Sequence, residues 1–450
     1  MGQAHFSHAL KVDPHICFGC SRCMVSCPTE AIRIKKGKAV IYEDRCVDCG
    51  ECYRSCPVHA IYIKQDDFEK IHMFSHKIAL VPHVFFGQFP SQFTQNDIKN
   101  AILGAGFTDV VEVEQSVPFL IEQINKYVKK HAEDKPIISS FCPAIVRLIQ
   151  VKFPSLTSNI LLLKPPLDIT AYNTRKRLVD QGIDNSDIGL FYITPCAAKI
   201  AAIKSPVGEE ESQIDGVINM DTLFNRTFTY LSNNKNKMEI NREYSKLNFR
   251  SRRWPLTEGE SKYIKGNNFA IDGIHNVIDF LEKIEDDEVP GVDYLELRAC
   301  IESCVGGVLL TTNKFLIAER IKNNNDEPEV IKVQNFIHDK EYLESHIAVN
   351  KVEPRNIMSL DDNIEKAMQK LTTISDLMKI LPQTDCSACG APNCNALAND
   401  IANNESTIEQ CIFIQKNMEA ENKLKPEESY EILSDIWGKN KFSKYKNLKK

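Results

Sequence analysis

The chain holds sixteen cysteines, and their spacing constrains its fold more than any other feature. They form four groups of four: Cys17, Cys20, Cys23 and Cys27; Cys46, Cys49, Cys52 and Cys56; Cys142, Cys196, Cys300 and Cys304; and Cys386, Cys389, Cys394 and Cys411. No thiol is left over. Sets of four thiolates are what soft metal centres use, whether zinc or iron–sulfur. A disulfide framework would need an oxidising compartment. The polar start MGQAHFSHALKVD, without the apolar core of a secretory signal, gives no sign of one.

The first two groups are near copies, each ending in Cys-Pro at Cys27-Pro28 and Cys56-Pro57. This run resembles the bacterial two-cluster ferredoxin pattern, in which three closely spaced cysteines wrap one [4Fe-4S] cubane and the fourth reaches the other. The resemblance implies one cluster on Cys17, Cys20, Cys23 and Cys56, and a second on Cys46, Cys49, Cys52 and Cys27. Zinc would call for isolated pairs closed by His or Cys instead.

At 450 residues, several domains are expected. The balance of 55 basic against 61 acidic side chains excludes a general nucleic-acid binder, whose affinity comes from phosphate neutralisation. Partners are therefore expected to be proteins. No apolar run reaches the ~18 residues that cross a bilayer, so no membrane association is expected. Cytoplasmic placement follows, in an anaerobic setting because oxygen attacks exposed thiolates and clusters.

Three regions are expected. Residues 1–75 form the two-cluster ferredoxin domain, with AIRIKK and AIYIKQ as small strands. In residues 76–355, apolar runs such as IALVPHVFF, TDVVEVE, IGLFYIT and VDYLELRA alternate with helical stretches such as VPFLIEQINKYVKKH. That alternation predicts an α/β fold with mostly parallel sheets. Residues 375–450 form a small, mainly helical four-cysteine domain with a lysine-rich tail, expected to be solvated. The polar stretch from Ser232 to Asn268 reads as a surface excursion without chemistry.

Cys142, Cys196 and Cys300 each stand where an apolar run gives out, and parallel sheets bind ligands at the carboxyl ends of their strands. Helical sequence follows Cys142 and Cys196, with Pro143 suited to a first helical position. Helix N-termini there would face an anionic cluster. Cys304 precedes Gly306 and Gly307, which allow close backbone approach.

SSFCPA, TPCAAK and ELRACIESCVGG, behind a two-cluster ferredoxin, resemble the three cysteine motifs of the [FeFe]-hydrogenase large subunit, over roughly residues 10–320. The resemblance implies that Cys142, Cys196, Cys300 and Cys304 hold a cubane. Cys304 would also bridge to a diiron subcluster with carbon monoxide, cyanide and dithiolate ligands, completing an H-cluster. Lys199 matches the family lysine that contacts a cyanide; the alternative is a solvent-facing lysine on an Ala/Ile helix. Lys199 and Cys304 are thus the candidate catalytic residues, and Glu296 also fits the pattern.

Departures from the family bear on activity. A proton-relaying cysteine is replaced by Phe141, which has no exchangeable proton. The relay glutamate is Ala202, and two methionines are Thr194 and Arg298. Similar losses mark sensory members. The four C-terminal cysteines, Cys386, Cys389, Cys394 and Cys411, resemble a small iron–sulfur domain that follows the hydrogenase module in such members, with zinc as the alternative metal.

The expected function is that of an iron–sulfur redox protein of sensory type. Electrons would pass through [4Fe-4S] clusters to an H-cluster-like site with slow or sensing-level hydrogen chemistry, serving a separate redox or signalling protein. The alternative is a non-catalytic electron carrier or assembly factor lacking the diiron centre.

Overall fold

A computed structural model describes residues 6–209, 211–233, 242–323, 336–355 and 363–443. The chain divides into two compact units, a smaller one of Leu10–Lys64 with Arg355–Lys450, and a larger one of Gln65–Pro354 with Met1–Ala9.

In the smaller unit, strands β1 (Leu10–Val12), β2 (Ile32–Lys35), β3 (Lys38–Ile41) and β4 (Ile61–Ile63) pair antiparallel as β1–β4 and β2–β3. Lys36 and Gly37 turn β2 into β3 with positive φ at both positions, 51° and 72°, the geometry that a two-residue hairpin with natural strand twist needs. Two short helices, Arg22–Val25 and Glu51–Ser55, carry Cys23 and Cys52 and start from left-handed residues, Ser21 and Gly50. The duplication seen in the cysteines is therefore repeated in the backbone.

The C-terminal part of this unit contributes the helices Ile364–Ile380, Cys394–Ala402, Ile412–Ala420 and Pro426–Trp437. It lies along the free edge of the β2–β3 hairpin. Ile34 N–H donates to the Gly390 carbonyl at 2.9 Å, Lys36 N–H to Asp435 at 2.8 Å and Gly37 N–H to Ile436 at 2.9 Å. Beneath these bonds Arg33 grips Asp400 with two parallel bonds, 2.6 Å from Nε and 2.9 Å from Nη2. Both partners are buried. The lysine-rich tail begins as the helix Lys439–Ser443, and residues 444–450 lie outside the described residues.

The larger unit is α/β. Strands β5 (His76–Val81), β6 (Asp109–Glu112), β7 (Ile137–Ile138), β8 (Ile188–Thr194), β9 (Gly216–Asn219), β10 (Asn268–Asp272) and β11 (Tyr294–Arg298) form two sheets, ordered β6-β5-β8-β9 and β10-β11-β7. Every pairing in both is parallel. All of β8 is buried, and its run IGLFYIT is continuous rather than alternating because helices cover both faces of such a strand. No helix among the described residues is long and apolar enough to cross a membrane.

The stretch from Ser232 to Asn268 departs from expectation. Residues 234–241 lie outside the described residues, but Trp254 is fully buried, and Arg252, Glu260 and Ser261 are buried with it. Its polar composition concealed a core segment, because the charges that sink inward are paired there.

Candidate metal centres

In the smaller unit the eight N-terminal thiols sort into two sets. Cys23 is pushed up to about 12, by burial first and then by Cys17, Cys20 and Cys56. Burial likewise raises Cys49, which also feels Cys27 and Cys52, and Cys46, which feels Cys27 and Cys49. Thiols crowded this closely repel as anions, and a cationic iron core relieves that repulsion. Backbone N–H groups are already aimed at the sulfurs: Ala31 at Cys27 and Ala60 at Cys56, each 3.2 Å, and Ala39 at Cys17, 3.4 Å. Such bonds steady thiolate ligands. The residues present fit two cubanes with crossed ligands.

The C-terminal thiols of the same unit also converge. Cys389 is raised to about 11 by burial, then by Cys386 and Cys411. Cys394 opens its helix, with Asn393 capping through its side chain, and Cys394 N–H donates to Asp385 at 2.8 Å. Cys394 and Cys411 belong to one apolar cluster with Leu381, Ala391 and Leu397. Four thiols on one small core suit a tetrahedral ligand set for either iron–sulfur or zinc.

In the larger unit the motif cysteines stand just beyond strand ends, as the sequence implies, although the strands come from two different sheets. Cys142 caps the helix Pro143–Lys152, with Pro143 at its first turn, and Cys196 caps the helix Ala197–Lys204 after β8. Cys300 follows β11, and Cys304 lies in the short 3-10 turn Ser303–Gly306. Cys196 is pushed up to about 12 by burial, with Cys304 and Cys142 adding and Lys199 opposing. Burial also raises Cys304, which feels Cys142, while Lys199 and Arg298 oppose the shift. These couplings bring Cys142, Cys196 and Cys304 together; Cys300 sits against the same turn, its Cβ 3.5 Å from where a Cβ on Gly306 would be.

Lys199 is 7% exposed, whereas Lys204, one turn on, reaches Asp66 at the surface. Among the described residues no carboxylate pairs with Lys199 within 4 Å, although Glu114 and Asp168 feel its charge; its ammonium lies 4.2 Å from the centroid of the Phe141 ring. On the same ring, the Arg298 guanidinium stands 3.9 Å from the centroid. A buried ammonium of this kind calls for an anion, and an anionic cofactor beside Cys304 would supply one. Phe141, Lys199, Ala202 and Asp168 line a cavity of about 90 Å³. None of the four thiols lines that cavity; the donor set and the cation fit a cubane with an attached anionic group.

The surrounding charges form a buried network of which the motifs flag only Glu296 and Arg298. Glu260 accepts from Ser139 Oγ at 2.8 Å, Tyr294 Oη at 2.6 Å and Arg298 Nη2 at 2.7 Å. Ser139 in turn accepts from Phe141 N–H at 3.2 Å, so Glu260 positions the loop that leads into Cys142. Glu296 accepts from the Glu260 and Ser261 backbones at 3.0 and 2.8 Å.

On another side of the site, Glu114 is lifted to about 8, chiefly by burial and by Glu112, against the His83 N–H that it accepts at 2.8 Å and the pull of Lys199. Glu112 falls to about 2: burial opposes ionisation, but Lys99 at 2.6 Å and His83 at 2.9 Å outweigh it. Asp168 rises to about 7 through burial and then Glu209. These acids were missed in the sequence. The one signal available was VVEVE, where carboxylates interrupt an apolar strand end.

Comparison with known families follows this geometry. Residues 16–60 match the 4Fe-4S dicluster domain, residues 75–242 the "Iron only hydrogenase large subunit, C-terminal domain", and residues 381–413 the family described as "Putative Fe-S cluster". This is an iron–sulfur protein with a ferredoxin domain and an [FeFe]-hydrogenase-like domain. Ferredoxin-1 of Rhodobacter capsulatus is 50% identical to the iron–sulfur protein over 38 residues, 8% of this chain and 58% of that protein. The gamma subunit of the acetyl-CoA decarbonylase/synthase complex of Methanocaldococcus jannaschii is 38% identical over 58 residues, 13% of this chain and 12% of that subunit. The matches thus span well under two thirds of either relative. Among solved structures, variants of the [FeFe]-hydrogenase HydA1 from Chlamydomonas reinhardtii align with TM-scores of 0.46 and 0.47 at 15% identity, covering 62% and 64% of this chain and 94% and 96% of theirs.

Proposed function

We propose that this iron–sulfur protein is a redox sensor built on a hydrogenase-like site, with slow hydrogen turnover at most. Cys142, Cys196, Cys300 and Cys304 would hold a cubane, and Cys304 would share its sulfur with a diiron unit carrying carbon monoxide, cyanide and dithiolate ligands. That unit, when bound, supplies reversible hydrogen chemistry. The rest falls to the polypeptide. Lys199 offers a cation that holds the anionic group in place, and Phe141 closes the same wall without an exchangeable proton.

The observation that carries this reading is the Phe141 ring, with the Lys199 ammonium and the Arg298 guanidinium 4.2 and 3.9 Å from its centroid, at the position where the family resemblance puts a proton-relaying thiol. An aromatic ring fixed there excludes water and gives the site no acid of its own. Glu114 and Asp168, both raised toward neutrality and both feeling Lys199, are carboxyls able to hold a proton beside that cation. Electrons would reach the site through the ferredoxin-type clusters, and a separate redox or signalling protein in an anaerobic cytoplasm would read the outcome.

The test is infrared spectroscopy of protein matured with the diiron unit. Carbonyl and cyanide bands are expected. Their absence after maturation that loads a competent hydrogenase would sink this reading and favour a plain electron carrier, in which Cys304 is the fourth ligand of a lone cubane.

A further inference from the structure

We propose that the C-terminal four-cysteine cluster exchanges electrons with one particular ferredoxin cluster, that of Cys17, Cys20, Cys23 and Cys56, across the backbone contact between Gly390 and Ile34. The inference rests on the reading of both sites as iron–sulfur clusters.

The contact is direct. Gly390 immediately follows Cys389, and its carbonyl accepts the Ile34 N–H at 2.9 Å. The same residue, Ile34, lines the cavity enclosed by Cys17, Cys20, Cys23 and Cys56. One hydrogen bond and one apolar side chain therefore separate the two ligand sets. The second ferredoxin cluster has a longer connection. Asn393, next to Cys394, donates to Glu30 at 2.6 Å, and Glu30 N–H then reaches the Cys27 carbonyl at 3.2 Å. That route runs through two polar side-chain arms and two hydrogen bonds.

The crossing is also built to stay closed. Gly390 has φ of 82°, and a Cβ there would stand 2.7 Å from the Ile34 carbonyl oxygen. Only glycine lets this bend approach β2 so closely. Arg33, adjacent to Ile34, is clamped by Asp400 in a bidentate pair with 2% and 5% exposure. Such a fork fixes orientation as well as distance. The step itself is a single electron moved from one cluster to the other; an external one-electron reductant supplies it, and no bond is made or broken.

Electron paramagnetic resonance on the reduced, iron-replete chain tests this. The C-terminal cluster signal is expected to be split by a neighbouring spin. The splitting should be lost in Cys20→Ser and retained in Cys49→Ser, each of which disables one ferredoxin cluster. Gly390→Ala should weaken it with iron content unchanged, and unchanged splitting there removes the Gly390–Ile34 crossing. The reverse pattern, retention in both cysteine variants, loss in both with the C-terminal signal intact, or no splitting in the wild-type protein overturns the assignment. A C-terminal site that holds zinc would instead refute the underlying reading of that site, and metal analysis tells the two failures apart.

Discussion

The ferredoxin-type sites and the hydrogenase-like site are both built from four thiols, but they are assembled in opposite ways. In the smaller unit each ligand set comes mostly from a dozen contiguous residues, and the backbone supplies the sulfur-directed N–H groups. In the larger unit the ligands arrive from strand ends in two sheets, and charge is set by buried side chains, Arg298 next to Cys300 but Glu260 and Glu114 far from most of the ligands in sequence. A locally coded site tolerates surface change because its environment is its own backbone. A site assembled from afar depends on every buried charge being paired.

Stranding one buried charge should have the largest effect. Glu260→Ala leaves Arg298 buried with its shorter carboxylate bond gone, and a loss of about 3–5 kcal/mol is expected in denaturant unfolding of the full chain. Asp400→Ala strands Arg33 in the same way and should cost as much. If only the former is costly, the contrast between the units is sharper still; a small effect at both would break it.

Next comes the wall of the site. Phe141→Cys restores an exchangeable proton, and hydrogen turnover of the diiron-loaded variant should rise by on the order of 10²-fold. Unchanged turnover would shift the defect to Ala202 or to packing around Trp254, 6.0 Å from the Phe141 ring.

Glu114→Gln addresses pH. The folded-state carboxyl, near 8, lies above its ordinary value of 4.5, so the native state binds the extra proton between them. Its stabilising contribution is present below pH ~4.5 and is lost as pH rises through about 8. The variant should flatten the fall of urea midpoints across that window. A wild-type profile that is already flat there would show that Glu114 is ionised throughout. Smallest of all, Lys11→Ala removes an exposed pair with Glu43 in the smaller unit, and the unfolding free energy from urea titration should change by less than about 1 kcal/mol.

Legibility followed the same divide. The duplicated cysteine runs, the strands in AIRIKK and AIYIKQ, the parallel α/β alternation and the helix starts at Cys142, Cys196 and Cys394 can all be read in the sequence, because each is a short-range pattern. The pairing of Glu260 could not be, since its side-chain partners lie 34 to 121 residues away and Glu260 itself belongs to a stretch whose Asn, Lys and Ser content resembles a loop. The apolar run IALVPHVFF is half strand and half 3-10 turn, as Pro82 ends β5. Periodicity cannot show that the runs split into two sheets, because pairing between distant strands leaves no local trace.

The C-terminal residues lying along β2 have a consequence for solubility. A strand edge with free N–H groups is a template on which other chains can assemble. Shortening the protein before Leu381 would bare Ile34 and Lys36 and unmask the Arg33 guanidinium. The fragment, though it keeps all eight N-terminal thiols, should self-associate more readily than the intact chain.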